Sequence, residues 1–131
     1  MIQENKDLLL QDLCGRLPYG VKIEVTYSKD SGSSLRARLC CEGINTLDTN
    51  ILWLFQQSEV YIKPYLFHLS SMTEEQKIIY GDLCYAVIHS LAWDIQAALN
   101  ELIDWLNKNH LDYRGLIEKE LAIDATGLNI Y

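Results

Sequence analysis

The segment VKIEVTY, residues 21–27, alternates apolar and polar side chains without a break. Successive side chains of a strand point to opposite faces. Val21, Ile23, Val25 and Tyr27 therefore form one apolar face, and Lys22, Glu24 and Thr26 form the other. Such a strand needs a partner for its backbone groups and a cover for its apolar side. The partner follows at once in the chain. SKDSGSS, 28–34, is a cluster of turn-forming residues, and LRARLC, 35–40, alternates again with Leu35, Ala37 and Leu39 in phase. This predicts a β-hairpin, with Arg36 and Arg38 joining Lys22 and Glu24 on a solvated outer face.

The cover is sought in the flanking segments. Residues 3–14 have Leu9, Leu10, Leu13 and Leu17 near helical spacing, with Gly15 as a stop and LPYG, 17–20, as the turn into the strand. ILWLFQQ, 51–57, is apolar on both faces, as a central strand would be. VYIKPYLF, 60–67, reads as a further strand in which Pro64, unable to donate a hydrogen bond, belongs at an edge or exit. From residue 70 the chain turns helical. Thr73 and Gln76 fit a capping box, with Glu74 and Glu75 at the positive end of the helix dipole. Gly81 is placed to end or interrupt that helix, and the pattern leaves 82–92 open between helix and strand. From Trp93 onward, Ile95, Leu99, Leu102 and Leu106 make one stripe bordered by Ala98 and Trp105. A last helix is expected over 113–121, with Tyr113, Leu116, Ile117 and Leu121 on one face. The tail ATGLNIY then either docks or frays.

Strands early and helices late give an α+β fold. The expectation is a small antiparallel sheet of three to four strands in the N-terminal half, packed against C-terminal helices and preceded by a short N-terminal helix. At 131 residues, positions 1–131 form a single domain.

Charge narrows the function classes. The formal net charge is −7, and the 11 Lys and Arg residues are scattered. That sign opposes direct binding of nucleic acid. No apolar run reaches the length of a membrane span. The opening MIQENKDLLLQDL is charged and its apolar run is short, unlike a secretory leader, so a cytoplasmic protein with reduced thiols is expected. Cys14, Cys40, Cys41 and Cys84 show no C-x-x-C or Cys/His spacing, and His68 and His89 have no ligand at i+3 or i+4. No metal and no cofactor is expected. Trp53, Phe55, Tyr61, Tyr65 and Phe67 fit a packed core first, with a ligand-binding face or a partner surface as the alternatives.

One stretch concentrates polar chemistry: HLDYRGLIEK, 110–119. A catalytic reading makes His110 a general base oriented by Asp112, with Tyr113 beside them and Arg114 holding an anion. No nucleophile motif, phosphate loop or metal box accompanies it. The structural reading gives each residue a local task. Lys108 and His110 complement the negative end of the long helix, and Asn109 stops it. Asp112 caps the next helix, Tyr113 starts its apolar face, Arg114 is a surface residue or a clamp on Asp112 or another nearby carboxylate, and Gly115 admits a close neighbour.

IKPYLFHLSSMTEEQK, 62–77, and IDWLNKNHLDYRGLIEKELAI, 103–123, resemble a family of short proteins encoded in prophages and related mobile elements of gut bacteria of the Bacteroides group. LLLQDLCGRLPYGVKIEV, 8–25, is similar to that family's usual start, so the likeness touches the beginning, middle and end. Members of the family often have Arg and Pro where this chain has Phe67 and His68, and Gly where it has Glu120. Residues 81–94 match no part of the family pattern. The resemblance implies a bacterial or phage-encoded accessory protein and carries no activity with it. The expectation is a non-catalytic accessory protein that binds a protein partner. The alternatives are a small enzyme around His110, Asp112, Tyr113 and Arg114, and an acidic nucleic-acid mimic.

Overall fold

A computed structural model describes residues 2–28, 36–44 and 60–131. The first helix, α1, spans Gln3–Arg16. It runs two residues past the expected end, straight through Gly15. A side chain at Gly15 would bring its Cβ within 3.2 Å of the Asn107 amide, so this glycine admits a neighbouring element and ends nothing. A 3-10 turn at Leu17–Tyr19 uses Pro18 near its start, and Gly20 at φ 68° reverses the chain. The expected turn at LPYG is this one.

Strands β1 (Val21–Ser28) and β2 (Arg36–Ile44) pair antiparallel, as their alternation requires. The register sets Val25 opposite Leu39 and Tyr27 opposite Ala37, and slips by one residue between Ile23 and Val25. Strand β3 (Val60–His68) pairs antiparallel with the other side of β1, Ile23 opposite Pro64. Leu66 C=O accepts from Ala125 N–H, just past the short strand β5, Ile123–Asp124. Residues two apart direct their backbone groups to the same edge, so Pro64's missing donor faces that edge too, where β5 pairing begins only at Tyr65. Two short parallel strands complete a mixed sheet. They are β4, Leu111–Asp112, on Phe67–His68, and β5, Ile123–Asp124, on Tyr65–Leu66. The expected strand over 51–57 and the turn over 28–34 fall largely or wholly outside the described residues.

The architecture is α+β. The main core joins Leu9 and Leu13 of α1, Val21 and Ile23 of β1, Ile62 and Leu66 of β3, and Leu116 of the chain's last third. Helix α2 (Glu74–Ile88) carries the expected capping box: Thr73 and Gln76 each bond the other's backbone N–H. Gly81 does not break it, and the undecided segment 82–92 is helix as far as Ile88. Helix α3 (Ile95–Lys108) returns antiparallel to form a hairpin. A second cluster of Met72, Leu106 and Leu111, flanked by Tyr80 and Trp105, seats this hairpin at the far end of β3.

The helix expected over 113–121 does not form. The segment makes one turn and stops. Leu121 N–H reaches Leu116 C=O, and Glu120 N–H reaches Ile117 C=O, with Glu120 left-handed at φ 60°. That pair of bonds is the Schellman stop signal, and Leu116 and Leu121 supply its apolar contact in the core. The helical spacing was real but covered a single turn. The tail docks: Tyr131 O–H accepts from Lys22 N–H and donates to Tyr65 C=O. It bridges β1 and β3 one position beyond their last paired residues.

Candidate functional site

The polar quartet of 110–114 follows directly on α3, and the structure gives each member a partner or a packing role. Asn109 ends the helix, its side-chain amide donating to Trp105 C=O. His110 takes φ 56°, the left-handed turn that releases the chain toward β4. Its ring lies against that of Tyr131, centroids 3.6 Å apart and nearly parallel. Burial, then the charges of Arg16 and Lys22, lower its pKa from 6.5 to about 4. The imidazole is therefore neutral at pH 7. Of the two cations expected at the negative helix end, Lys108 stands in the last turn, whereas His110 is neutral because its ring is half-buried beside two other cations.

Asp112 is a cap, as expected. Its two carboxylate oxygens accept from Leu116 N–H and Ile117 N–H, both at 2.9 Å. They hold the single turn that follows. Gly115 has φ 71° and open space in the direction of a Cβ. Backbone conformation, and not the expected close approach, asks for glycine there.

Arg114 clamps a carboxylate, that of Asp12 on α1, at 3.0 Å. The sequence reading had passed over Asp12. It and Arg16 are both fully buried and joined by two hydrogen bonds of 2.8 and 3.0 Å. Arg16 also donates to Leu111 C=O of β4 at 2.8 Å. Tyr113 lies between the guanidinium groups, 5.4 Å from Arg16 and 4.7 Å from Arg114, and its hydroxyl donates to Asn107. The i,i+4 spacing of Asp12 and Arg16 was the available signal for this network. Two arginines sharing one carboxylate, an aromatic face and a backbone carbonyl make a clasp. It ties α1 to the segment that follows α3.

The quartet is thus brought together around α1, with Asp112 turned to backbone amides and Arg114 to Asp12. Among the described residues no group of three or more His, Cys, Asp or Glu side chains could hold a metal ion. Among them also, no helix is long and apolar enough to cross a membrane. Cys14 and Cys84 are free thiols. His68 is half-buried on β3, and His89 is exposed, its ring 4.0 Å from that of Tyr85.

The outstanding surface feature lies elsewhere, on the α2–α3 hairpin. Helix α2 buries no residue fully. Its inner side, Tyr80, Leu83, Cys84 and Val87, is half-covered, and Tyr80 stacks on Trp105 of α3. Its outer side carries Ile78, Tyr85 and Ile88 at 66%, 64% and 76% exposure. The turn beyond adds Leu91 and Trp93, the latter 78% exposed. These apolar side chains stand beside the exposed Glu74, Glu75, Lys77 and Asp82 of the same helix. Comparison of the chain with protein-family models, with curated proteins and with solved structures returned no match.

Proposed function

We propose that this chain is a non-catalytic protein-interaction protein and that the outer side of the α2–α3 hairpin is its working surface. The observation that carries the reading is the run Ile78, Tyr85, Ile88, Leu91 and Trp93, all strongly exposed on adjoining elements. Scattered exposed apolar residues need no explanation, but a contiguous group of this size marks a binding surface. Tyr and Trp are the residue types enriched where proteins meet. The likeness of 62–77 and 103–123 to prophage and mobile-element proteins adds context: an accessory protein of such an element, acting in the bacterial cytoplasm.

The test compares the wild-type chain with a Tyr85→Ser/Trp93→Ser variant. Both are used to capture partners from Bacteroides-group lysate, and both are measured for self-assembly. The expected result is a specific complex or assembly formed by the wild type and lost by the variant. A wild type that forms neither, or whose complex ignores both substitutions, contradicts the reading.

A further inference from the structure

The hairpin surface also contains the information that says what covers it. Among the exposed positions of α2, Glu74, Ile78, Gly81, Tyr85 and Ile88 follow one another at helical spacing along one face, with Glu75, Asp82, Ala86 and Ile79 to one side and Lys77 to the other. Gly81 sits in the middle of this face. In a helix interior glycine is a poor choice, and nothing inside the chain explains it: a Cβ there would meet no atom within 4 Å. One turn later stands Tyr85, the largest side chain of the face, its ring steadied by His89 at 4.0 Å. A gap and a protrusion one turn apart on one face complement each other when the face meets its own copy in the opposite direction.

Resting on the interaction reading above, we propose that the outer face of α2 is a two-fold dimer interface in which Tyr85 of each copy seats over Gly81 of the other. In an antiparallel crossing whose axis passes at the level of residue 83, position 81 lies opposite 85 and position 78 opposite 88. Ile78 of one protomer then meets Ile88 of its partner, twice over. An isologous contact requires that reciprocity, residue i on j and j on i. The same crossing brings the Leu91–Trp93 turn level with the partner's first turn of α2. The missing side chain at Gly81 lets the two helices approach closely, and the bulky ring next to it fills the space.

The area agrees. An aromatic side chain offers roughly 150–250 Å², so Tyr85 and Trp93 at 64% and 78% exposure hold on the order of 300 Å². Ile78, Ile88, Leu91 and Ile95, at 40–76% exposure, hold a comparable amount. The sum is of the same order as the roughly 800 Å² that each partner gives to a stable interface of ordinary size.

The experiment is molar mass in solution by light scattering across a dilution series. The wild type is expected at twice the chain mass, dissociating on dilution. Gly81→Leu fills the gap with a better helix former, so its melting temperature in the dilute monomer is not lowered, yet its dimer is expected to weaken about tenfold or more. Tyr85→Ala is expected to weaken the dimer as well. A wild type that stays monomeric throughout overturns the proposal, and so does a dimer untouched by Gly81→Leu. Capture of a different protein through Tyr85 and Trp93 by such a monomer would leave the interaction reading standing without the dimer. Absence of both would remove the two together.

Discussion

At the scale of single residues, the fold depends on a buried charge set that the chain's surface chemistry does not advertise. Asp12 accepts from both Arg16 and Arg114, and both Asp12 and Arg16 are fully buried. Removing Asp12 leaves Arg16 charged and fully buried and takes from Arg114 its carboxylate, which costs more than the set itself contributes. Asp12→Ala is therefore expected to destabilise the fold by about 3–5 kcal/mol, measured by urea unfolding. A loss within a few tenths of a kcal/mol, the ordinary surface value, would show that the arginines find other partners. His110 gives a pH signature. Its imidazole titrates near 6.5 when unfolded and near 4 when folded. Between those values the unfolded chain binds more protons. His110's contribution is thus complete above pH 6.5 and is lost as pH falls toward 4. His110→Asn, which tolerates the left-handed φ of 56°, is expected to flatten stability across that window. An NMR titration of the imidazole near 6.5 in the folded protein would contradict the assignment.

At the scale of elements, local signals that closed on themselves were readable and those that depended on a distant neighbour were not. The alternation of 21–27 gave β1 and its hairpin partner, and the Thr73–Gln76 box gave the start of α2, because each signal is complete within its own segment. The capping role of Asp112 was legible for the same reason. Gly15 misled, because its purpose is set by Asn107, far along the chain. Glu24, assigned to a solvated face, is buried and accepts from the Tyr65 hydroxyl at 2.9 Å. The apolar spacing of 113–121 overstated a single turn, which Glu120 ends in a left-handed conformation that suits glycine. Glu120→Gly is accordingly expected to raise stability by about 0.5–1 kcal/mol, read as a higher unfolding midpoint at unchanged denaturant slope. A lower midpoint would mean that the Glu120 side chain has a role the backbone geometry does not express.

At the scale of the whole molecule, the chain divides its labour. One half is closed. α1, β1, β3 and the 110–125 segment share a core, a charged clasp and a tail whose Tyr131 hydroxyl bridges two strands. The other half is the hairpin, capped and regular yet with a wide apolar outer side. The chemistry-rich stretch at 110–114 belongs to the closed half, where its side chains hold backbone and each other. On the hairpin the large apolar side chains Ile78, Tyr85, Ile88, Leu91 and Trp93 face outward, and this is why the functional reading moves from the polar quartet to the hairpin. Side-chain footprinting tests that move most directly. Oxidative labelling of Tyr85 and Trp93 is compared between the dilute chain and the chain concentrated or mixed with lysate, with the inward-facing Tyr80 and Trp105 as internal references. The account predicts that labelling of Tyr85 and Trp93 falls on assembly while the references hold steady. Undiminished labelling of both in every condition would contradict it.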